Sequence, residues 1–286
     1  MDLSVDRDAL APAYAALVAR TEPFLVSYPS NWPELDLAPF GLAIPEARRY
    51  TATSLRSRTL VDGLHALDAA TFGGQEMLMP RWVLFDCGEL PGIVFGLGRR
   101  AVELPEPVRR HYGLRGSAHD ETFVPLSMWV AIRCAEPGAW LGHNLSSANL
   151  LLAGEGALPG LATLTKVLGV KLTRARRQYG ATQWSSRSIG LHLRLGPMEL
   201  LCAYTPAHTH PETFAYRIEV SDEALLASLR PGWHAPEPAG ERVLDADDAG
   251  GIRRLHDDIE RGERWQLVAA ERREGTAQRL HLRRIG

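Results

Sequence analysis

Apolar residues first recur at helical spacing. Residues 4–20 (SVDRDALAPAYAALVAR) predict a helix with acids near its start, where they suit the macrodipole. Leu60, Leu64 and Leu67 share one face at spacing i, i+4, i+7, so a second helix is expected from about Ser54 to Ala70, ended by Gly73-Gly74. Between the two, Pro23, Pro29, Pro33, Pro39 and Pro45 fall within residues 21–50 and predict an ordered, irregular wrap over the surface.

From residue 81 the pattern becomes one of short apolar runs bounded by turn residues. RWVLFDC (81–87), the turn ELPG (89–92) and IVFGLG (93–98) read as a hairpin. A short helix around 105–112 and a polar loop lead to a strand at FVPLSMWVAIRC (123–134), which the turn AEPG (135–138) joins to AWLGHNL (139–145). A helical segment covers 158–168, with strands expected at 171–178, 188–196, 198–205 and 213–220; Gly196-Pro197 links the middle two. SDEALLASLR (221–230) opens on a Ser N-cap followed by acids, and a helix over 247–261 precedes strands at 264–272 and 276–285.

Sequential hairpins with helices mainly at the ends predict the α+β class, with a largely antiparallel sheet or barrel and peripheral helices. Three segments are expected: a helical and irregular N-terminal wrap (1–80), a β-rich core domain (81–230), and a C-terminal helix plus β-hairpin (231–286) packed on the same domain. Pro231 to Gly240 is the best boundary.

Composition narrows the class without naming a function. The chain of 286 residues is 45% hydrophobic and 23% charged, which excludes collagen-like, coiled-coil and disordered classes. A net charge of −2 advertises neither nucleic acid nor an anionic membrane as a partner, and no apolar run is long enough to span a bilayer. Cys87, Cys134 and Cys202 are widely spaced and odd in number, so no disulfide framework is encoded and a reducing cytoplasm is the expected location. The expected partner is a small-molecule substrate, and homo-oligomerisation is left open.

Several motifs carry less than their letters suggest. GLGRRA (96–101) matches a dinucleotide-binding variant, but Pro105 and Pro107 obstruct the helix that must follow, so it reads as a glycine-rich strand end. His208, His210 and Glu212 would share a face on a strand, yet Pro206 and Pro211 favour a loop; no metal and no cofactor are expected. RARRQYGATQW (174–184) is similar to the pyrophosphate loop of the GNAT acyltransferases, with Arg177 and Gly180 in place and Thr182 where Gly or Ala stands. His143 and Asn144, in a run with few charges, are candidates to line a pocket.

Of 32 basic residues only Lys166 and Lys171 are lysines. Lys166 stands among Leu161, Leu164, Val167, Leu168 and Val170, where a lysine either snorkels to water or is buried as an amine. Burial would lower its pKa and make it a nucleophile able to form a Schiff base, which an arginine cannot do.

At this point the layout resembles the acetoacetate decarboxylase family over residues 80–220. The segments that carry the likeness are VPLSMWVAIRCAEPGAWLGHNL (124–145), with its Pro-x-Ser strand, then LPGLATLTKVLG (158–169), then IGLHLRLGPMELLCAYT (189–205). The family usually has two adjacent lysines after a proline; here Thr165-Lys166-Val167 stands in that place. The resemblance implies that fold and a Schiff-base lyase acting on a small keto acid, by decarboxylation or C–C bond chemistry. Lys166 would attack the ketone, Glu121 would shuttle protons, and Arg174 or Arg194 would clamp the carboxylate, with His143 and Asn144 lining the site. The alternatives are a non-catalytic small-molecule-binding protein of the same fold and an acyl-CoA-dependent acyltransferase.

Overall fold

The computed structural model describes the chain except residues 1–9, 30–41, 52–57, 76, 90–91, 153–155, 207–209, 234–239 and 273–276. The chain divides into two compact units: residues 1–134, 142–174 and 229–231 form the first, and 135–141, 175–228 and 232–286 the second. Both mix helices with mostly antiparallel strands, so the chain is α+β.

In the first unit, helix α1 (Pro12–Arg20) leads into strand β1 (Glu22–Ser27), and β2 (Arg49–Tyr50) precedes helices α2 (Arg58–Phe72) and α3 (Arg81–Glu89). Strand β3 (Gly92–Arg100), helix α4 (Glu106–His111) and strand β4 (Phe123–Arg133) follow. The second half of β5 (Ala139–Ser147) and helix α5 (Leu161–Leu172) complete the unit. The strand order is β2-β1-β3-β4, with β2 parallel to β1 and the other pairs antiparallel.

Strands β3 and β4 are buried along nearly their whole length, which is why both read as unbroken apolar runs rather than as alternation. Helix α2 packs on β4, α3 on β1 and β3, and α5 on β3 and β4. Leu60, Leu64 and Leu67 fill the core from α2, as their spacing predicts. Helix α5 is fastened to β4 by a 2.5 Å hydrogen bond between the buried Thr165 and Ser127 hydroxyls. It also lies close over Trp129, because Gly169 carries no side chain; a Cβ there would stand 2.3 Å from the indole.

In the second unit the start of β5 runs parallel to β6 (Arg177–Gln183). Then come helix α6 (Ile189–His192), strands β7 (Met198–Cys202) and β8 (Thr213–Glu219), helix α7 (Asp222–Ala227), strand β9 (Arg242–Asp245), helix α8 (Ala249–Glu260) and strands β10 (Trp265–Glu271) and β11 (Arg279–Arg284). The order β5-β6-β8-β7-β10-β11-β9 is antiparallel from β6 onward. Trp184 and Phe214, with ring centroids 4.3 Å apart, anchor its core. Ser221 accepts from the Ala224 amide to cap α7, as its sequence predicts, and Asp248 caps α8 through the Gly251 amide.

Four expectations are corrected. Residues 81–87 are helix α3 and not the first arm of a hairpin: Val83, Leu84 and Cys87 are buried at i, i+1, i+4 while Phe85, which strand alternation would bury with Val83, is exposed. Residues 188–196 are helix α6 and its following turn, closed by Leu191 and His192 amides donating to the Ser188 carbonyl, so 188–205 is not a hairpin. The wrap over 21–50 contains β1, whose Pro23 is tolerated because β2 meets β1 only at Leu25 and Val26, leaving an edge at the proline. Residues 171–172 belong to α5, and the strand expected from 171 starts at Arg177. Strand β9 was not anticipated, since Leu244 is its single buried residue. The N-terminal helix is described from Pro12 on; the rest of its expected span through residue 9 lies outside the described residues.

Candidate functional site

Lys166 lies on α5 with 1% of its surface exposed, between the buried residues Thr165 and Val167. Of the two states open to it, the structure selects the buried one, and desolvation lowers its pKa well below the ordinary lysine value. An unfolded chain then binds a proton that the folded chain gives up. Stability is therefore depressed below the folded pKa and recovers as pH rises toward 10.5. Lys166→Met should raise the unfolding midpoint at pH 7 by at least several degrees, and the gain should shrink as pH approaches 10.5. Thermal unfolding across that pH range checks it, and a gain independent of pH would refute the desolvated amine.

Of the other lyase candidates, Glu121 and Arg174 are exposed. Glu121 is a surface residue, its side chain 79% exposed and 3.3 Å from Arg100, an ion pair of the weak, solvent-screened kind. Arg174 is exposed just past the end of α5, in a left-handed conformation (φ 51°) with its amide bonded to the Lys171 carbonyl. Arg194 belongs to the second unit, where its guanidinium donates to the Ser228 carbonyl at 2.9 Å and stacks 4.0 Å over Trp233. Glu121 and Arg174 thus face solvent, whereas Lys166 is enclosed.

Asn144 does meet a polar partner. Asp68 on α2 is fully buried, and its carboxylate accepts three hydrogen bonds. The Asn144 amide donates to Oδ1 at 2.6 Å, the Ser146 hydroxyl to the same oxygen at 3.4 Å, and the Met79 backbone N–H to Oδ2 at 2.6 Å. Alternation along β5 places Asn144 and Ser146 on one face, toward α2. The Ser147 amide donates to Thr71 Oγ1 at 3.4 Å and extends the seam by one more contact. His143, one residue before Asn144, is accessible to solvent, yet enough protein surrounds it that desolvation lowers its pKa; the nearby Asp68 charge partly opposes this.

Asp68 carries a signal in the sequence that only its burial makes plain. It stands four residues after Leu64 and directly after Leu67, so an acid occupies the apolar face of α2. An acid on that face must find hydrogen-bond donors when it is buried.

Strand β5 leads through a helical turn and residues 153–160 to the start of α5. Gly160 holds the N-cap position with φ 83°, against the ring of Tyr14, and no side chain caps the helix. The Leu161 amide bonds the Leu158 carbonyl; among the described residues, those of Ala162 and Thr163 have no protein acceptor. Such a helix start favours an anion.

The turn expected at 174–184 is not a loop. Residues Arg177–Gln183 are strand β6, paired with β8 along seven residues, so their amides serve the sheet and not a pyrophosphate. GLGRRA falls largely within β3, where Gly96 and Gly98 admit the rings of Phe24 and Phe123. His208 lies outside the described residues, and among those described no group of three or more His, Cys, Asp or Glu could hold a metal. No described helix is long and apolar enough to cross a membrane.

No family model and no curated protein matches the chain. Among solved structures it is similar to a protein described as a GNAT-family acetyltransferase from Desulfovibrio desulfuricans, at 13% identity over 56% of this chain and 93% of that one, with a TM-score of 0.34. It is also similar to nourseothricin acetyltransferase, at 15% identity over 46% of this chain and 65% of that one, with a TM-score of 0.25.

Proposed function

We propose that the protein is an acyltransferase that moves an acyl group from a phosphate-bearing thioester of the acyl-CoA class to a small amine. The observation that carries this reading is His143: an accessible imidazole biased toward its neutral form by desolvation, on a strand tied to the buried Asp68. A neutral imidazole is a general base at physiological pH. As the amine nitrogen attacks the thioester carbonyl, its proton passes to His143 and the C–S bond breaks. The departing thiolate takes up a proton, so amide and free thiol are the products. The uncapped start of α5, reached from the same strand, offers the Ala162 and Thr163 amides to the donor's phosphates.

Ligand-dependent unfolding tests this. Acetyl-CoA at about one hundred times its Kd should stabilise the protein by about 2.7 kcal/mol, a rise of roughly 5–10 °C in the midpoint. Thr163→Glu, which sets a carboxylate at the helix start, should keep the fold and diminish that rise. Absence of any shift with millimolar acetyl-CoA or CoA, together with no thiol release across a panel of amines, would sink the reading.

A second reading, a Schiff-base lyase acting on a small keto acid through Lys166, is favoured by the lowered pKa of that amine. Its test is borohydride trapping with a panel of keto acids. An adduct on Lys166 that is absent from Lys166→Arg would establish it, and no adduct on folded protein would remove it.

A further inference from the structure

Asp68 is too enclosed to touch a substrate, and its oxygens are already occupied by Asn144, Ser146 and the Met79 amide. It ties two alternate residues of β5, Asn144 and Ser146, to α2 and, through Met79, ties the segment before α3 to the same point. We propose that Asp68 is the positioning residue of the site: by holding Asn144 and Ser146 against α2 it fixes where the strand, one residue before Asn144, presents His143. This rests on the reading of His143 as the base, and it adds a residue that acts through another and never meets the substrate.

The physical case is the geometry of the seam. A buried carboxylate in hydrogen bonds at 2.6 Å from two different segments is a rigid joint, since breaking either one leaves an unpaired buried polar group. The strand it holds carries His143 next to Asn144, so release of the joint lets the imidazole shift with the strand. A displacement near 1 Å at a reacting group costs about 10²-fold in rate. On α2, burial and then Arg81 of α3 lower the His65 pKa, with the Asp68 and Asp62 charges opposing; at His143 burial lowers the pKa and the Asp68 charge opposes it.

The test uses Asp68→Asn and Asn144→Ala, the second breaking the joint from the strand side should the first fail to fold. Both should lower kcat about 10²-fold with little change in KM. In Asp68→Asn the His143 pKa, followed by NMR through its ring signals, should fall further, because the charge that supports its protonated form is gone. In Asn144→Ala the His143 ring signals should broaden or move while that charge remains. The NMR readout needs no turnover, so it stands even if acyl transfer is not the reaction. Folded variants whose His143 signals and pKa match the wild type would overturn the positioning role. Loss of catalysis in the absence of any such change would assign Asp68 to stability only, which equally overturns it.

Discussion

Gly96→Val should leave no stably folded protein, and Gly96→Ala should lower the unfolding midpoint by roughly 10 °C or more. A Cβ on Gly96 would stand 2.0 Å from the Ser127 carbonyl oxygen and 2.5 Å from the Phe24 ring. The oxygen belongs to β4 and the ring to β1, so β3 is gripped from both sides at this residue. The oxygen is backbone, on a residue whose hydroxyl is bonded to Thr165 of α5, and the Phe24 ring is fully buried. Relief requires β3 and β4 to part. Overpacking in a rigid core costs about 1–3 kcal/mol when side chains can give, and backbone displacement costs more, against a total stability on the order of 5–15 kcal/mol. Gly190→Ala is the control, since a Cβ there meets nothing within 4 Å and the residue lies in helix α6. It should be neutral or stabilising by about 0.5–1 kcal/mol. Equal melting of the two alanine variants would show that the close approach at Gly96 is not limiting.

His143→Gln should reduce kcat/KM for acyl transfer by about 10²–10⁴-fold, while the stabilisation by acetyl-CoA stays near the wild-type value. Glutamine keeps a similar size and a hydrogen-bonding end but cannot take up the proton. In the wild type the base must be neutral, so the rate falls as pH drops through the His143 pKa. Desolvation, outweighing the Asp68 charge, places that acidic limb below the ordinary histidine value of 6.5. The profile of kcat/KM against pH reads the limb in the free enzyme. A limb above 6.5, or a His143→Gln variant with unchanged kcat/KM, would transfer the role of base to another group.

Much of the secondary structure was legible because burial imposes its period on sequence. The leucines of α2, the apolar runs of β3 and β4, and the capped start of α7 each carry their own signal. Helices α3 and α6 were misread for one shared reason: short apolar runs satisfy helical and strand spacing alike, and their partners decide. Phe85 pointing to solvent, which no local propensity dictates, separates the two readings of residues 81–87.

The candidate site divides in the same way. Its chemistry-bearing letters, Lys166, His143 and Asn144, stood out from the sequence because each interrupts an apolar run. The sequence by itself determined the α+β class, most of the elements and the burial of residues around Lys166. Only tertiary structure decided that Lys166 is enclosed while Glu121 stands in solvent, and that residues 174–184 give their amides to a sheet. It alone joined Asp68 to Asn144 across an interval of 76 residues. Periodicity is a property of one element and its nearest neighbours in the chain. A hydrogen bond between α2 and β5 depends on tertiary packing, in which α2 lies on β4, and no local spacing encodes that distance.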